Sequence, residues 1–395
     1  MDYNFSKITN RFNTNSVKWD VKENELPMWV ADMDFETTPE IIEAISNKVS
    51  FGIFGYTVIP EEYYSSISNW WKKRHSFNID KEWILFCTGV VPAISSIVRK
   101  MTNEGDNVLV QAPVYNMFYN SIVNNNRNIL SSDLCYDGKD YHIDFDDLEG
   151  KLSDNKTTLM ILCNPHNPIG KVWDRETLEK IGNLALKHNV LVLSDEIHCD
   201  LTCGNKEYIP FASVSKEIAQ NSITCIAPTK TFNIAGLQTA SIVIPNEELR
   251  KKVNRGINTD EVAEPNAFAM EATIAAFTKG EPWLKELTQY LAENKRVVID
   301  FVNEKLPELK VVNSDATYLL WIDCSKVTED SAELCNYIRS DTGLYVSNGA
   351  VYGGNGKTFI RMNIACPRVR LEDGLSRLEA GIKRYIENKS QYNQG

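Results

Sequence analysis

At 395 residues with 43% hydrophobic content, the chain exceeds what one compact core holds, so two domains are expected, each with enough apolar material to bury. A formal net charge of −11 and the lack of a basic stretch argue against nucleic-acid binding, which needs cationic patches to neutralise phosphates. No apolar signal core follows Met1 and no run of about eighteen apolar residues occurs anywhere, so the expected location is the cytoplasm, away from membranes.

Along the chain, short apolar runs alternate with helical patterns. The runs are Trp83 to Cys87, Val108 to Val110, Leu159 to Cys163, Val190 to Leu193, Ile223 to Ala227 and Ser241 to Ile244. This alternation predicts an α/β fold with a mostly parallel sheet covered by helices. Pro92 suits the first turn of a helix reaching Met101, and Asp174 suits the N-cap of a helix from Arg175 to His188. From Pro282 an amphipathic pattern reaches Leu306, followed by strand patterns at Tyr318 to Cys324 and Thr358 to Ile364 and a helix from Leu371 to Asn388. These predict a smaller α+β domain over 282–395 after a large domain over 46–281, with a frayed polar tail after Asn388.

Lys230 lies in Ala227-Pro228-Thr229-Lys230-Thr231-Phe232-Asn233-Ile234-Ala235-Gly236-Leu237-Gln238, just past a buried strand, in a turn broken by proline and glycine. Deprotonating an ordinary lysine at pH 7 costs about 5 kcal/mol, and burial lowers that cost, so an amine presented this way suits attack on an aldehyde. Ser194-Asp195-Glu196-Ile197-His198 places Asp195 at a strand's carboxyl end, the edge where open α/β sheets bind ligands. Cys87-Thr88-Gly89-Val90-Val91-Pro92 runs from a strand into a helix N-terminus, where the free amides of Val90 and Val91 suit an anion. Asn164-Pro165-His166-Asn167-Pro168 ends another strand in two Asn-Pro steps that fix an extended or turn backbone. Arg361, within the alternating Thr358 to Ile364, presents a fork suited to a carboxylate. The nine cysteines read as reduced core residues, and His198, Cys199 and Cys203 match no zinc spacing, so no metal is expected.

The lysine segment, together with Lys18-Trp19-Asp20, Pro27-Met28-Trp29-Val30-Ala31-Asp32-Met33-Asp34-Phe35 and Phe359-Ile360-Arg361-Met362-Asn363, resembles the fold-type I aminotransferase superfamily, whose cofactor is pyridoxal 5'-phosphate (PLP). Within it the chain is most similar to the cystathionine β-lyase-like C–S lyase branch. The resemblance implies a large domain with a seven-stranded sheet, a smaller domain, and an N-terminal segment over 1–45 joining the latter. It implies that Lys230 holds the cofactor and acts as catalytic base, that Asp195 pairs with the ring nitrogen, and that Asn167 bonds the phenolic oxygen. It also implies that Tyr115 in Pro113-Val114-Tyr115 stacks on the ring, and that Val90, Val91 and Thr229 hold the phosphate. Arg361 would grip the substrate carboxylate, Ala31 and Asp32 would shape the substrate pocket, and Tyr56 in Gly55-Tyr56-Thr57 would reach the phosphate or substrate of a second subunit in a homodimer with shared sites.

Three positions depart from the wider pattern. Ala227 stands where a phosphate-binding serine is common, Gln238 replaces an arginine, and His198, still expected at the cofactor, replaces a tyrosine. All three resemble the β-lyase branch, with Gln238 expected as a neutral phosphate donor. The implied reaction is β-elimination from cystathionine or related S-substituted cysteines, giving thiol, pyruvate and ammonia. An aminotransferase on the same scaffold is the rival reading, since both reactions begin by removing the Cα proton. A non-enzymatic regulatory protein is the other, and the intact lysine, aspartate and arginine argue against it.

Overall fold

The computed structural model describes residues 3–204 and 206–392. Seven strands form one sheet in the order Ile84–Cys87, Ala240–Val243, Ser222–Ile226, Leu191–Asp195, Thr157–Cys163, Asn107–Val110, Asn128–Ser131. All pairings are parallel except those of Ala240–Val243, which runs antiparallel to both neighbours. Six of these strands coincide with the apolar runs of the sequence. The seventh, Asn128–Ser131, was not expected: it is an edge strand whose residues are exposed or half-buried, so no hydrophobic pattern marks it.

Helices cover the sheet by burying one stripe each. The helix Val90–Met101 places Ala93, Ile94, Ile97 and Val98 at 0% exposure in one cluster with Val108, Leu159 and Ile242. Each buried Ile or Val among them contributes about 1.5 to 3 kcal/mol. Asp174 caps its helix as expected, accepting from the Thr177 amide at 2.8 Å, and that helix runs Arg175–Lys187.

A second sheet of four strands, ordered Lys310–Val311, Leu319–Asp323, Phe359–Asn363, Ser347–Asn348, is antiparallel throughout. The chain's early strand Leu26–Pro27 pairs in parallel with Leu344–Tyr345. The last helix spans Arg368–Tyr392, so the tail expected to fray after Asn388 is helical through Tyr392, and its final residues 393–395 lie outside the described residues. Beyond Asn388 the Ser390 hydroxyl donates to the Ile386 carbonyl one turn back at 2.9 Å. All nine cysteines are free; Cys135 and Cys203 are only half-buried, contrary to a uniform core assignment. Among the described residues no helix is long and apolar enough to cross a membrane.

Candidate active site

Parallel strands end together on one edge, and that edge carries the site. Asp195 ends its strand, paired in register with Cys163 on one side and Cys225 on the other. Lys230 follows the strand Ser222–Ile226, and Asn167 follows Thr157–Cys163. A cavity of about 220 Å³ lies between them. Its wall includes Lys230, Asp195, Asn167, His198, Tyr115, Val90, Val91, Thr229, Ala31 and Gln238, so most of the residues singled out from sequence are brought together. A larger open groove of about 1000 Å³ beside Arg74 and Tyr208 contains none of them.

Burial dominates the electrostatics. It pushes the Asp195 carboxyl up to about 7, against the Ile197 amide, which donates to Oδ1 at 3.2 Å, and against the Lys230 charge. Desolvation brings the Lys230 amine down to about 8; Asp32 opposes this and Arg361 adds to it. The His198 imidazole is driven down to about 3 by burial, helped by the Lys230 and Arg361 charges, and its Nδ1 has no partner among the described residues. Tyr115 is pushed up to about 12 by burial, so its phenol stays neutral.

These observations fit the PLP expected from sequence. A buried carboxylate whose one hydrogen-bond donor is a backbone amide suits a cationic ring nitrogen. The helix Val90–Met101 starts at the cavity without a side-chain cap, leaving its first amides for an anion. Gly89 meets only Pro92 near its hypothetical Cβ, at 3.2 Å, so this turn keeps the backbone open. Thr229 brings a hydroxyl to the same wall, and Gln238 sits at its rim in the left-handed region at φ +51.

Three expected residues, Tyr56, Asp32 and Arg361, are not part of the cavity wall. Tyr56 is wholly exposed and does not touch its own chain's cavity. The Asp32 carboxylate is engaged by Arg11, whose Nη1 and Nη2 donate at 3.1 and 3.0 Å, and lies 3.6 Å from Lys18 Nζ. Its neighbour Ala31 is what reaches the site, its carbonyl accepting from Lys230 Nζ at 2.7 Å. Arg361 comes from the four-stranded sheet, with Nη1 donating to Asn167 Oδ1 at 3.1 Å.

Sequence reading missed the residues that hold the segment Trp29–Phe35 in place. Asn233 accepts from the Met33 amide at 2.9 Å and donates to the Met33 and Phe35 carbonyls at 3.0 and 2.8 Å. Asn363 donates to the Val30 and Asp32 carbonyls at 2.6 Å each. Asp34, buried, accepts from Arg11 at 2.8 Å and Trp19 at 2.9 Å, with Lys18 Nζ at 3.3 Å. The only signal was proximity in sequence, Asn233 three residues after Lys230 and Asn363 two after Arg361. Elsewhere, His75, Cys199 and Asp200 bring ligand-type atoms within 4.8 Å of one another, but Asp200 already accepts from Trp70, Arg74 and His75, and Arg74 supplies the cation there.

Comparison with known proteins agrees with this geometry. Cystathionine beta-lyase PatB of Bacillus subtilis (strain 168) is 44% identical over 386 residues, covering 96% of this chain and 100% of that one. Protein MalY of Escherichia coli (strain K12) is 32% identical, covering 96% and 99%. The crystal structure of cystalysin from Treponema denticola, which contains a pyridoxal 5'-phosphate cofactor, superposes with a TM-score of 0.94 at 33% identity, covering 97% and 100%. With residues 24–378 matching the family described as aminotransferase class I and II, the chain belongs to that family.

Proposed function

We propose that the protein is a PLP-dependent C–S β-lyase that releases a thiol, pyruvate and ammonia from cystathionine or related S-substituted cysteines. The observation that carries this reading is the pairing in one cavity of an amine brought down to about 8, Lys230, with a buried carboxylate, Asp195. The relatives named cystathionine beta-lyase support the choice of reaction.

Bound in this cavity, PLP supplies an electron sink for the charge left at Cα when its proton is removed. Asp195 would keep the ring nitrogen protonated, Asn167 would donate to the phenolic oxygen, and Tyr115 would cover one ring face. Val90 and Val91 amides and the Thr229 hydroxyl would hold the phosphate, with His198 a neutral neighbour. Lys230 is the base: near neutral pH an appreciable fraction of such an amine is unprotonated, so Nζ takes the Cα proton. Arg361 would grip the substrate carboxylate and so align that bond, while Ala31 borders the space for the side chain.

The same reading divides the chain into an N-terminal segment over 1–45, a PLP-binding domain over 46–281 and a smaller domain over 282–395. It places the protein in the cytoplasm as a homodimer in which Tyr56 completes the site of a second copy. Exposed Phe51, Ile53, Phe54 and Val58 around Tyr56 support that face as an interface.

Incubating purified protein and PLP with cystathionine, without a keto acid, tests the reaction. Thiol and pyruvate should appear in equal amounts, and Lys230→Ala should abolish both. Turnover only with an added keto acid, with a new amino acid as product, would establish the aminotransferase instead.

A further inference from the structure

Tyr318 immediately precedes the strand Leu319–Asp323 and is 1% exposed. Its hydroxyl donates to the Ala31 carbonyl at 3.1 Å, and Lys230 Nζ donates to the same oxygen at 2.7 Å. Burial pushes this phenol well upward, with Asp32 adding and Arg361 opposing, so it remains a hydroxyl donor across the working pH range. The backbone that delivers it is strained: Thr317, β-branched, holds φ +67. That conformation is secured by its amide on the Leu201 carbonyl at 2.7 Å and by its Oγ1, which accepts from the Leu319 amide at 3.2 Å. Strain of this kind persists where the surroundings over-determine a position. Ala31 is itself immobilised, because Asn363 holds the carbonyls on either side of it, Val30 and Asp32.

We propose that Tyr318 is a positioning residue for Lys230, acting through the Ala31 carbonyl that the two side chains share. The proposal deepens the lyase reading and rests on it for the role of Lys230 as base. A carbonyl oxygen has two lone pairs, and two donors on it compete. An ammonium donates more strongly than a neutral amine, so a carbonyl wholly available to Lys230 would favour the protonated lysine, which cannot accept the Cα proton. Tyr318 occupies part of that acceptor. It thereby keeps the lysine resting place while weakening its preference for the charged form.

The test is Tyr318→Phe, which removes one hydroxyl and keeps the ring. In the full-length protein stripped of cofactor, acylation of Lys230 at a series of pH values, followed by peptide mass spectrometry, gives the lysine's titration midpoint. The midpoint should rise by about half to one unit in the variant. In the holoenzyme the acid limb of kcat should move the same way and kcat near pH 7 should fall about three- to tenfold, with KM little altered. Replacement of Tyr318 by 3-fluorotyrosine, a stronger donor of similar shape, should move the midpoint down and guards against misfolding of the phenylalanine variant. Unchanged midpoints in both variants would overturn the proposal, and so would a lowered Tm with kcat and its pH profile intact, which marks a packing residue. Failure of the wild type to release pyruvate would defeat the lyase reading alone, because the labelling midpoint is read without substrate.

Discussion

Arg361 and Asn167 join the two sheets across the active site, the guanidinium Nη1 resting 3.1 Å from the amide oxygen. Its Nη2 donates to the Trp29 carbonyl at 3.0 Å, its Nε has no partner among the described residues, and its Cζ lies 4.8 Å from the Tyr352 ring centroid. Both hydrogen-bond partners are neutral, although the side chain is only 5% exposed. A buried cation held by neutral groups gains most when an anion arrives, and the free Nε leaves one prong of the fork for it.

Arg361→Lys should therefore raise KM and lower kcat for amino-acid substrates while leaving the cofactor absorbance unchanged. Lysine keeps the charge but not the two-pronged geometry, so the Cα–H bond is misaligned as well as weakly bound. The expected loss in kcat/KM is about 1.5 to 3 kcal/mol, roughly ten- to a hundredfold. Intact kinetic constants with a lowered Tm would assign Arg361 to packing.

Asp195→Asn should retain cofactor and lose most activity. The carboxyl sits at about 7 when only the Ile197 amide and the nearby Lys230 offset its burial, and a cation at the ring nitrogen would restore its ionised form. An amide has the shape but not the charge, and the lost charge-assisted contact is worth about 1.5 to 3 kcal/mol. Steady-state turnover close to wild type in a variant with full cofactor content would remove Asp195 from this role.

The parts of the site legible in sequence are those fixed by local punctuation. Strand-ending turns placed Lys230, Asp195 and Asn167 on one edge because parallel neighbours end together, and Gly89 before Val90 marked an anion-ready helix start. Tyr318 was illegible because a tyrosine heading an apolar strand reads as core, and its partner Ala31 is 287 residues away. Asn233 and Asn363 hide for the same reason: their amides act on distant backbone, which no periodicity encodes. The Asn128–Ser131 strand escaped because an edge position leaves its side chains in water.

Acid should destabilise the fold through His166. Its Nε2 donates to the Pro113 carbonyl at 2.8 Å, its ring packs edge-on against Trp173, and burial lowers it to about 4. Between the unfolded value near 6.5 and about 4, the unfolded chain binds a proton that the folded imidazole refuses, so stability falls as pH drops through this window. A shift of this size corresponds to about 3 kcal/mol. His166→Gln, whose amide can still donate to Pro113, should be less stable at pH 7 yet lose less between pH 6.5 and 4. Urea unfolding at several pH values measures both slopes, and equal slopes would remove His166 as the cause.

The proposed sharing of active sites between two subunits has a direct test in complementation. Tyr56 is fully exposed on a segment with Ile53 at 65% and Val58 at 82% exposure, and the Phe54 ring lies 5.6 Å from Phe268. If a second copy covers this face, Phe54→Asp should weaken association, seen by sedimentation, because a charge would then be buried. Tyr56→Ala should leave the dimer intact and inactive, as Lys230→Ala does. In a heterodimer of those two variants, one site combines the intact Lys230 of one chain with the intact Tyr56 of the other, and the second site lacks both. Random mixing makes half the dimers hybrid, so about a quarter of wild-type activity should return. Two inactive variants that stay inactive after subunit exchange, verified by native mass spectrometry, would mean that each chain builds its site alone.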